Sequence, residues 1–469
     1  MKKSAYIYII KISFLFTALY LFGSCKKLIE IPGNPPTFIT KEQQFADSAT
    51  AMSAVVGAYS YSQGKGFGYS DANFTVATGL SADEISVTAS NTDYTHFYNY
   101  MLTPLSGGIV SLWQYPYQGV YKVNDILEGV SHSKGLSQSF IRQISGEMKV
   151  LRALYYFNMV NIFGGVPLVT STDYQHTARF PRTSVDEVYR QVIQDLEEAV
   201  IDLSPDYPSS GRQRPNLYTA KALLSKVFLY RGNWKEAYDA ADDVIKSGIY
   251  SISDVAVDAA FLEGSDEAIW QLPVKNSYRQ TDDAQTFVPS AGVLPKYLVT
   301  PFLLNQFEKS DQRLQHWVGV SIVKGDSFYY PFKYKNKQAS SLPLENLMIV
   351  RLGEVLLIRA EAAAHLHNLE QAVKDLDVIR RRAGLENSII DKTSQQVVLN
   401  AIMKERQLEL CFEWGNRWFD LKRNVTIESS ASTVLGDEKA GYTSDAALYP
   451  IPQGQRQLNN LLEQNPGYN

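Results

Sequence analysis

Cysteine is almost absent from this chain, with only Cys25 and Cys411 among 469 residues. That scarcity excludes a disulfide-stapled fold and a structural zinc site, both of which need several closely spaced ligating side chains. Histidine is scarce as well: six are scattered, and the close pair His365 and His367 falls at a helix end. No metal-ligand spacing, nucleophile elbow, zinc-binding helix, phosphate loop or dinucleotide fingerprint occurs, so no metal and no cofactor is expected. Strong charge of one sign is missing too. The formal net charge is −4, and losing Lys2, Lys3 and Lys11 with a leader would bring it to −7. A nucleic-acid binder, which shows a basic stripe, is therefore not expected. What the chain does have is apolar content of 45% against 20% charged residues, enough for a substantial core. It also has 12% aromatics, led by 29 tyrosines.

The first residues have a targeting layout. Lys2 and Lys3 precede a mostly apolar run to Phe22, and Leu21-Phe22-Gly23-Ser24-Cys25 places small residues just before a cysteine. A transmembrane anchor is the competing reading, but the run is marginal in length and Lys11 near its middle would be costly in a bilayer. The pattern resembles a bacterial lipobox, which predicts a signal peptide over 1–24 and lipid on Cys25. Ile31-Pro32-Gly33-Asn34-Pro35-Pro36 then favours extended backbone, so 25–39 reads as a lipidated tether and the folded body starts near Thr40.

The most legible stretch is Lys404–Asn424, KERQLELCFEWGNRWFDLKRN. Glu405, Glu409 and Glu413 stand four apart and stack on one helix face, where like charges repel. Arg406, Arg417 and Arg423 lie nearby, with Arg351, Arg359 and Arg380 to Arg382 further back. The planar fork of arginine pairs well with carboxylates, so the stretch reads as a charged clamp between helices, with carboxyl pKa values depressed by arginine. The positions Glu405, Arg406, Glu409, Leu410, Phe412, Glu413, Arg417, Trp418, Asp420, Leu421 and Arg423 resemble the C-terminal signature of SusD-like (RagB/SusD) outer-membrane lipoproteins. One departure is Glu413-Trp414-Gly415-Asn416-Arg417, where the family usually has Glu-Gly before the variable residue and Arg. The resemblance extends to Gly146-Glu147-Met148, Leu151–Phe157, Phe163-Gly164-Gly165-Val166-Pro167-Leu168, Phe180-Pro181-Arg182-Thr183, Leu448–Pro452 and Gln464–Tyr468.

Periodicity predicts a mostly helical protein. A capping box at Thr40–Gln43 opens a helix containing Phe45, Ala49, Met52, Val56 and Tyr59. Further helices are expected over Trp113–Val130, Phe140–Phe163 and from Thr183 to about Leu203. Trp113, Tyr117 and Tyr121 share a face and are assigned to the core. Tyr230–Ala237 and His365–Ala372 are versions of one another at a shift of 135. Each is flanked by two helices, with Asn in the turn and Ala at the crossing, as a tetratricopeptide-like hairpin requires. Phe140–Leu203 is a third such pair. The expected fold is mostly α, a SusD-like domain over 40–469 with an N-terminal part to about 250 and a C-terminal part from about 265. Helix pairs form its scaffold, with long irregular loops and few short strands. Trp270 alternates like a core strand residue, and Asp311 with Arg313 reads as a structural pair.

Two irregular regions could bind a ligand. In the first, Gln63–Tyr117, eight aromatics fall between Tyr94 and Tyr121, interleaved with amides and carboxylates. Sugars need flat rings for their C–H faces and edge groups for their hydroxyls. The second is Asn276–Tyr334. The resemblance implies that these loops carry a glycan platform, with Asn91, Tyr94, Phe97, Tyr98, Tyr278 and Trp317 as its candidate residues. No helical or alternating period fits Asn91–Asn99, which favours a loop there. The resemblance also implies an oligosaccharide ligand, a lipid anchor in the outer membrane facing the exterior, and a SusC-like TonB-dependent transporter as partner. A glycoside hydrolase needs two suitably spaced acids; Asp83-Glu84 is the only acidic pair by the aromatic loop, and adjacent residues point apart. No catalytic residue is therefore assigned. A peptide-docking helical scaffold is the remaining alternative.

Overall fold

Many helix starts in this protein are set by side chains that take up free backbone N–H groups. The computed structural model describes residues 39–62, 73–88, 92–274, 281–337, 343–388, 390–423, 425–439 and 441–468. The expected leader, Cys25, most of the tether, Asn91 and Tyr278 lie outside those residues. At Thr40 the capping box with Gln43 is complete, but its helix stops after Gln44. A separate helix, α1 (Ser48–Tyr61), starts from Asp47, whose carboxylate accepts from Ala49 and Thr50. The one helix expected there is thus two, because Asp47 supplies a second N-cap inside it. Helix α2 (Asn73–Ser81) leads into strand β1 (Ile85–Val87), and α3 (Thr92–Tyr98) follows. Thr92–Tyr98 was expected to be loop; seven residues are too few turns for a period to show.

Helices α4 (Gly107–His132) and α5 (Gln138–Phe163) pack side by side. Trp113 is buried and Tyr117 half-buried, its hydroxyl donating to the Pro167 carbonyl at 2.8 Å. Tyr121 is 53% exposed, against its core assignment. Two steps of four residues accumulate a rotation of about 80° on a helix of 3.6 residues per turn, which carries Tyr121 off the buried face. Gly164 ends α5 with φ +72°, and at Gly165 a Cβ would stand 2.5 Å from the Thr183 carbonyl oxygen. Val166 and Thr183 pair there as a β-bridge, so that backbone cannot easily yield. Gly165→Val should lower stability by about 1–3 kcal/mol, read from the urea midpoint. An unchanged midpoint would mean that the bridge moves freely.

Helix α6 (Val185–Asp202) opens on a capping box between Ser184 and Glu187. Next come α7 (Leu217–Arg231), α8 (Trp234–Lys246), β2 (Ala268–Leu272), α9 (Asp282–Phe287) and β3 (Tyr297–Val299). They are followed by α10 (Gln312–Trp317), β4 (Val318–Val323), β5 (Asp326–Pro331) and β6 (Leu347–Arg351). Then come α11 (Leu352–His365), α12 (Leu369–Arg382), α13 (Gln395–Glu409), α14 (Asn416–Arg423) and α15 (Ala431–Glu438), with a last short helix, α16 (Gln453–Leu458), near the C-terminus. The fold is mostly helical. Among the described residues the strands form three antiparallel pairs, β1–β3, β2–β6 and β4–β5. Trp270 is buried in β2, as expected.

The hairpins α7–α8 and α11–α12 match at the level of backbone. Gly232 and His367, equivalent by the shift of 135, both take left-handed φ, +73° and +60°. Ala237 and Ala372 are fully buried at the crossings. The two hairpins also dock together: Arg359 of α11 bonds Asp375 of α12 at 2.8 and 2.7 Å and Asp242 of α8 at 2.7 Å. Trp234 stacks on His365 at 3.8 Å. Helices α5 and α6 form the third pair.

The charged stretch is a buried network. Arg351 bonds Glu409 at 2.5 Å, Glu267 at 2.6 Å and Glu413 at 2.8 Å. Arg313 bonds Asp311 at 2.8 Å, Glu405 at 2.6 Å and Glu409 at 3.1 Å, and Arg382 also reaches Glu409. Burial alone would push the Glu409 carboxyl up, but Arg382, Arg351 and Arg313 hold it well below the usual range. Glu413 is likewise held low by Arg351 and Lys333 against its burial. Glu405 departs from expectation: burial outweighs Arg313 and raises it. Arg406 and Arg423 bond Asp420, at 2.8 Å each, and Arg417 goes instead to Asp83 at 2.7 Å. Phe412 and Trp414 take left-handed φ of +60° and +51°. This strained turn coincides with the departure from the family signature, and the Trp414 indole N–H donates to the Met348 carbonyl at 2.6 Å.

Candidate functional site

Strand pairing brings the two irregular regions together. Ile85 of β1 stands opposite Val299 of β3, and Val87 opposite Tyr297. Thr88 extends the seam: its N–H donates to Lys296 O at 3.0 Å and its hydroxyl to Pro295 O at 2.6 Å. At the other end the Thr300 N–H donates to Glu84 O at 3.0 Å. Residues more than two hundred apart in sequence are thus joined in one largely buried seam, and α3 packs beside it. Tyr94 meets Tyr297 edge-on at 5.7 Å, and Tyr297 meets Phe287 at 5.7 Å. The Lys296 ammonium lies 4.8 Å from the Tyr94 ring centre and 5.1 Å from that of Tyr297. Tyr94 and Tyr98 are both half-buried, leaving part of each ring for a ligand.

Two candidates are corrected. Phe97 is fully buried against Tyr449, with ring centres 5.2 Å apart. It occupies the inward face of the short helix whose existence the sequence did not reveal. Trp317 is also fully buried. Its indole N–H donates to Val257 O at 2.9 Å, and Lys333 and Arg382 lie 4.1 and 5.0 Å from the ring centre. It packs over the cations of the buried network and offers no face to a ligand. Of the six candidates, Tyr94 and Tyr98 are the ones placed at the described surface. Lys296 was not anticipated, and only its place beside Tyr297 on a strand in the second region could have signalled it. The hairpin β4–β5 adds an outward face of Val320, Ile322 and Tyr329, 48%, 56% and 39% exposed.

Beneath the surface lie carboxylates that sequence inspection had weighed for catalysis. Asp83 is bound by Arg417 at 2.8 and 2.7 Å. Glu84 accepts from the Phe412 N–H at 3.0 Å, and burial pushes its carboxyl up to about 8. Both are almost fully buried. Lys439 reaches the same turn from below, donating to Leu80 O and Ala82 O, with its ammonium 4.4 Å from the Tyr98 ring centre. These groups fix the approach to β1 and hold the α3 end in place.

A helical scaffold with Tyr94 and Tyr98 partly exposed beside a strand seam between distant regions is an arrangement that suits ligand binding. Residues 36–229 match the family model described as starch-binding associating with outer membrane, and residues 308–468 match that of the SusD family. A SusD-like protein of Formosa agariphila is 26% identical, the alignment covering 98% of this chain and 99% of that protein. A laminarin-binding SusD-like protein superposes with a TM-score of 0.75 at 24% identity, covering 90% of this chain and 100% of that one. Surface glycan-binding protein A from Bacteroides uniformis gives 0.75 at 20% identity, covering 89% and 99%. The chain belongs to the SusD-like family.

Proposed function

We propose that this protein is a lipid-anchored, cell-surface binding protein that captures an oligosaccharide and passes it to a SusC-like TonB-dependent transporter in the outer membrane. The observation that carries the reading is the β1–β3 seam, which sets the half-buried Tyr94 of the first region edge-on against the buried Tyr297 of the second. Membership of the SusD-like family, and likeness in fold to a laminarin-binding SusD-like protein and to a surface glycan-binding protein, support it. Among the described residues no helix is long and apolar enough to cross a membrane; the anchor in this reading is lipid on Cys25. Binding without hydrolysis is the better reading, because the acids nearest the seam, Asp83 and Glu84, are sealed under it and engaged by Arg417 and Phe412.

Calorimetry with a panel of glycans tests the reading. Tyr94→Ala should weaken glycan binding about tenfold, as for a central aromatic contact, and Tyr98→Ala should weaken it less. Unchanged affinity in both variants would remove the seam as the site. Reducing-sugar release by the purified protein would overturn the binder assignment, and peptide binding alone would favour a docking scaffold. Fractionation with labelled fatty acid should place wild type, but not Cys25→Ala, in the outer membrane, co-purifying with a transporter barrel.

A further inference from the structure

We propose that the seam is built for an acidic glycan, one bearing uronate carboxylates or sulfate esters, and that Lys296 is the residue that meets the anion. This rests on the glycan-binding reading above and narrows it to a chemical class. Two independent observations carry it.

The first is local. Lys296 is exposed at the end of β3, and its ammonium is held between the rings of Tyr94 and Tyr297 at 4.8 and 5.1 Å from their centres. Ring faces attract a cation without neutralising it. Some exposed lysines spend their charge on a carboxylate one helical turn away, as Lys235 does with Asp239 and Lys374 with Glu370. Among the described residues Lys296 makes no ion pair, so an undischarged cation stands at a fixed place on the aromatic surface. A sugar ring packed on Tyr94 would bring a carboxylate or sulfate on its rim within reach of that ammonium.

The second lies along the chain: from 284 to 307 Lys296 is the only charged residue, so no carboxylate close in sequence competes for its ammonium.

Affinity electrophoresis in native gels tests the proposal. The gels would hold a neutral glucan, a uronate-rich polysaccharide, or a sulfated polysaccharide alongside its desulfated form. Wild type should be retarded by an acidic polymer, and less so as salt rises. Retardation by the uronate polymer or only by the sulfated one identifies which anion Lys296 meets. Lys296→Ala, an exposed change that leaves the core intact, should bind the acidic polymer about five- to tenfold more weakly. Lys296→Arg should retain binding. Equal retardation of wild type and Lys296→Ala by the acidic polymer would overturn the proposal. So would retardation by the neutral glucan alone, which would leave the glycan-binding reading standing. No retardation by any polymer would remove that reading as well.

Discussion

Glu409→Ala is expected to cost about 3–5 kcal/mol of folding stability, the range for removing one partner from a buried ionic cluster. Glu409 is fully buried and accepts from Arg351 at 2.5 Å, from Arg313 at 3.1 Å and from Arg382. Without it Arg351, Arg313 and Arg382 lose the one carboxylate that all three share, and buried guanidinium N–H groups are left without an acceptor in a medium that solvates them poorly. The same network makes the protein acid-labile. Glu409 and Glu413 have folded-state pKa values held below the ordinary 4.5, and Asp420, under Arg406 and Arg423 and despite its burial, is held at about 2 instead of 3.8. Carboxyls depressed in the folded state add stability that is complete above their unfolded values and is lost as pH falls towards the folded ones. Wild type should therefore lose stability steadily as pH falls below the unfolded carboxyl value of 4.5 towards Asp420's value of about 2. Glu409→Gln should show a shallower fall, because one of the linked protons is gone. Urea titrations at several pH values read both effects. Ligand affinity per folded molecule should be unchanged, since the cluster lies in the core. A variant that melts normally yet has lost affinity would return this segment to the binding surface.

The helical frame was readable because its signals are local. The Thr40 and Ser184 capping boxes, the Gly164-Gly165 stop, and the paired turns at Asn233 and Asn368 each act within a few residues, and the structure shows helices at each. The Glu405, Glu409 and Glu413 stripe marked the network for the same reason, but its partners did not follow from spacing. Arg313 arrives from α10, and Lys333 and Glu267 from segments beside β5 and β2, and nothing in a one-dimensional pattern brings them there. The candidate site was the least legible part. Its two regions could be named from aromatic density, yet which rings face outward depends on the β1–β3 register and on α3. Phe97 and Tyr98 are neighbours in a seven-residue helix, one fully buried and the other half-exposed. Trp317 looked like a platform residue because indoles suit sugars, but an indole also covers buried cations, and that use prevailed here.

Arg417→Met should be comparably damaging, at about 3–5 kcal/mol, and unlike Glu409→Ala it should also weaken ligand binding. Arg417 holds Asp83 through two hydrogen bonds of 2.8 and 2.7 Å, and Asp83 is 1% exposed. The other side-chain donor to that carboxylate is Gln407 at 3.2 Å, too little to stabilise a buried charge alone. Asp83 also sits where the scaffold meets the seam. Its carbonyl accepts from the Thr300 hydroxyl and the next residue's from the Thr300 N–H, so the start of β1 and the end of β3 are fastened at this point. Loss of Arg417 leaves a carboxylate that must either take up a proton or draw water into the turn, and either response loosens the register that aligns Tyr94 with Lys296. Replacing both partners by apolar groups removes the unpaired charge, so Asp83→Leu with Arg417→Met should recover much of the stability lost by Arg417→Met alone. A double-mutant cycle measures this directly. Additive losses would show that the pair does not act as a unit, and full affinity in folded Arg417→Met would show that the seam keeps its register without it.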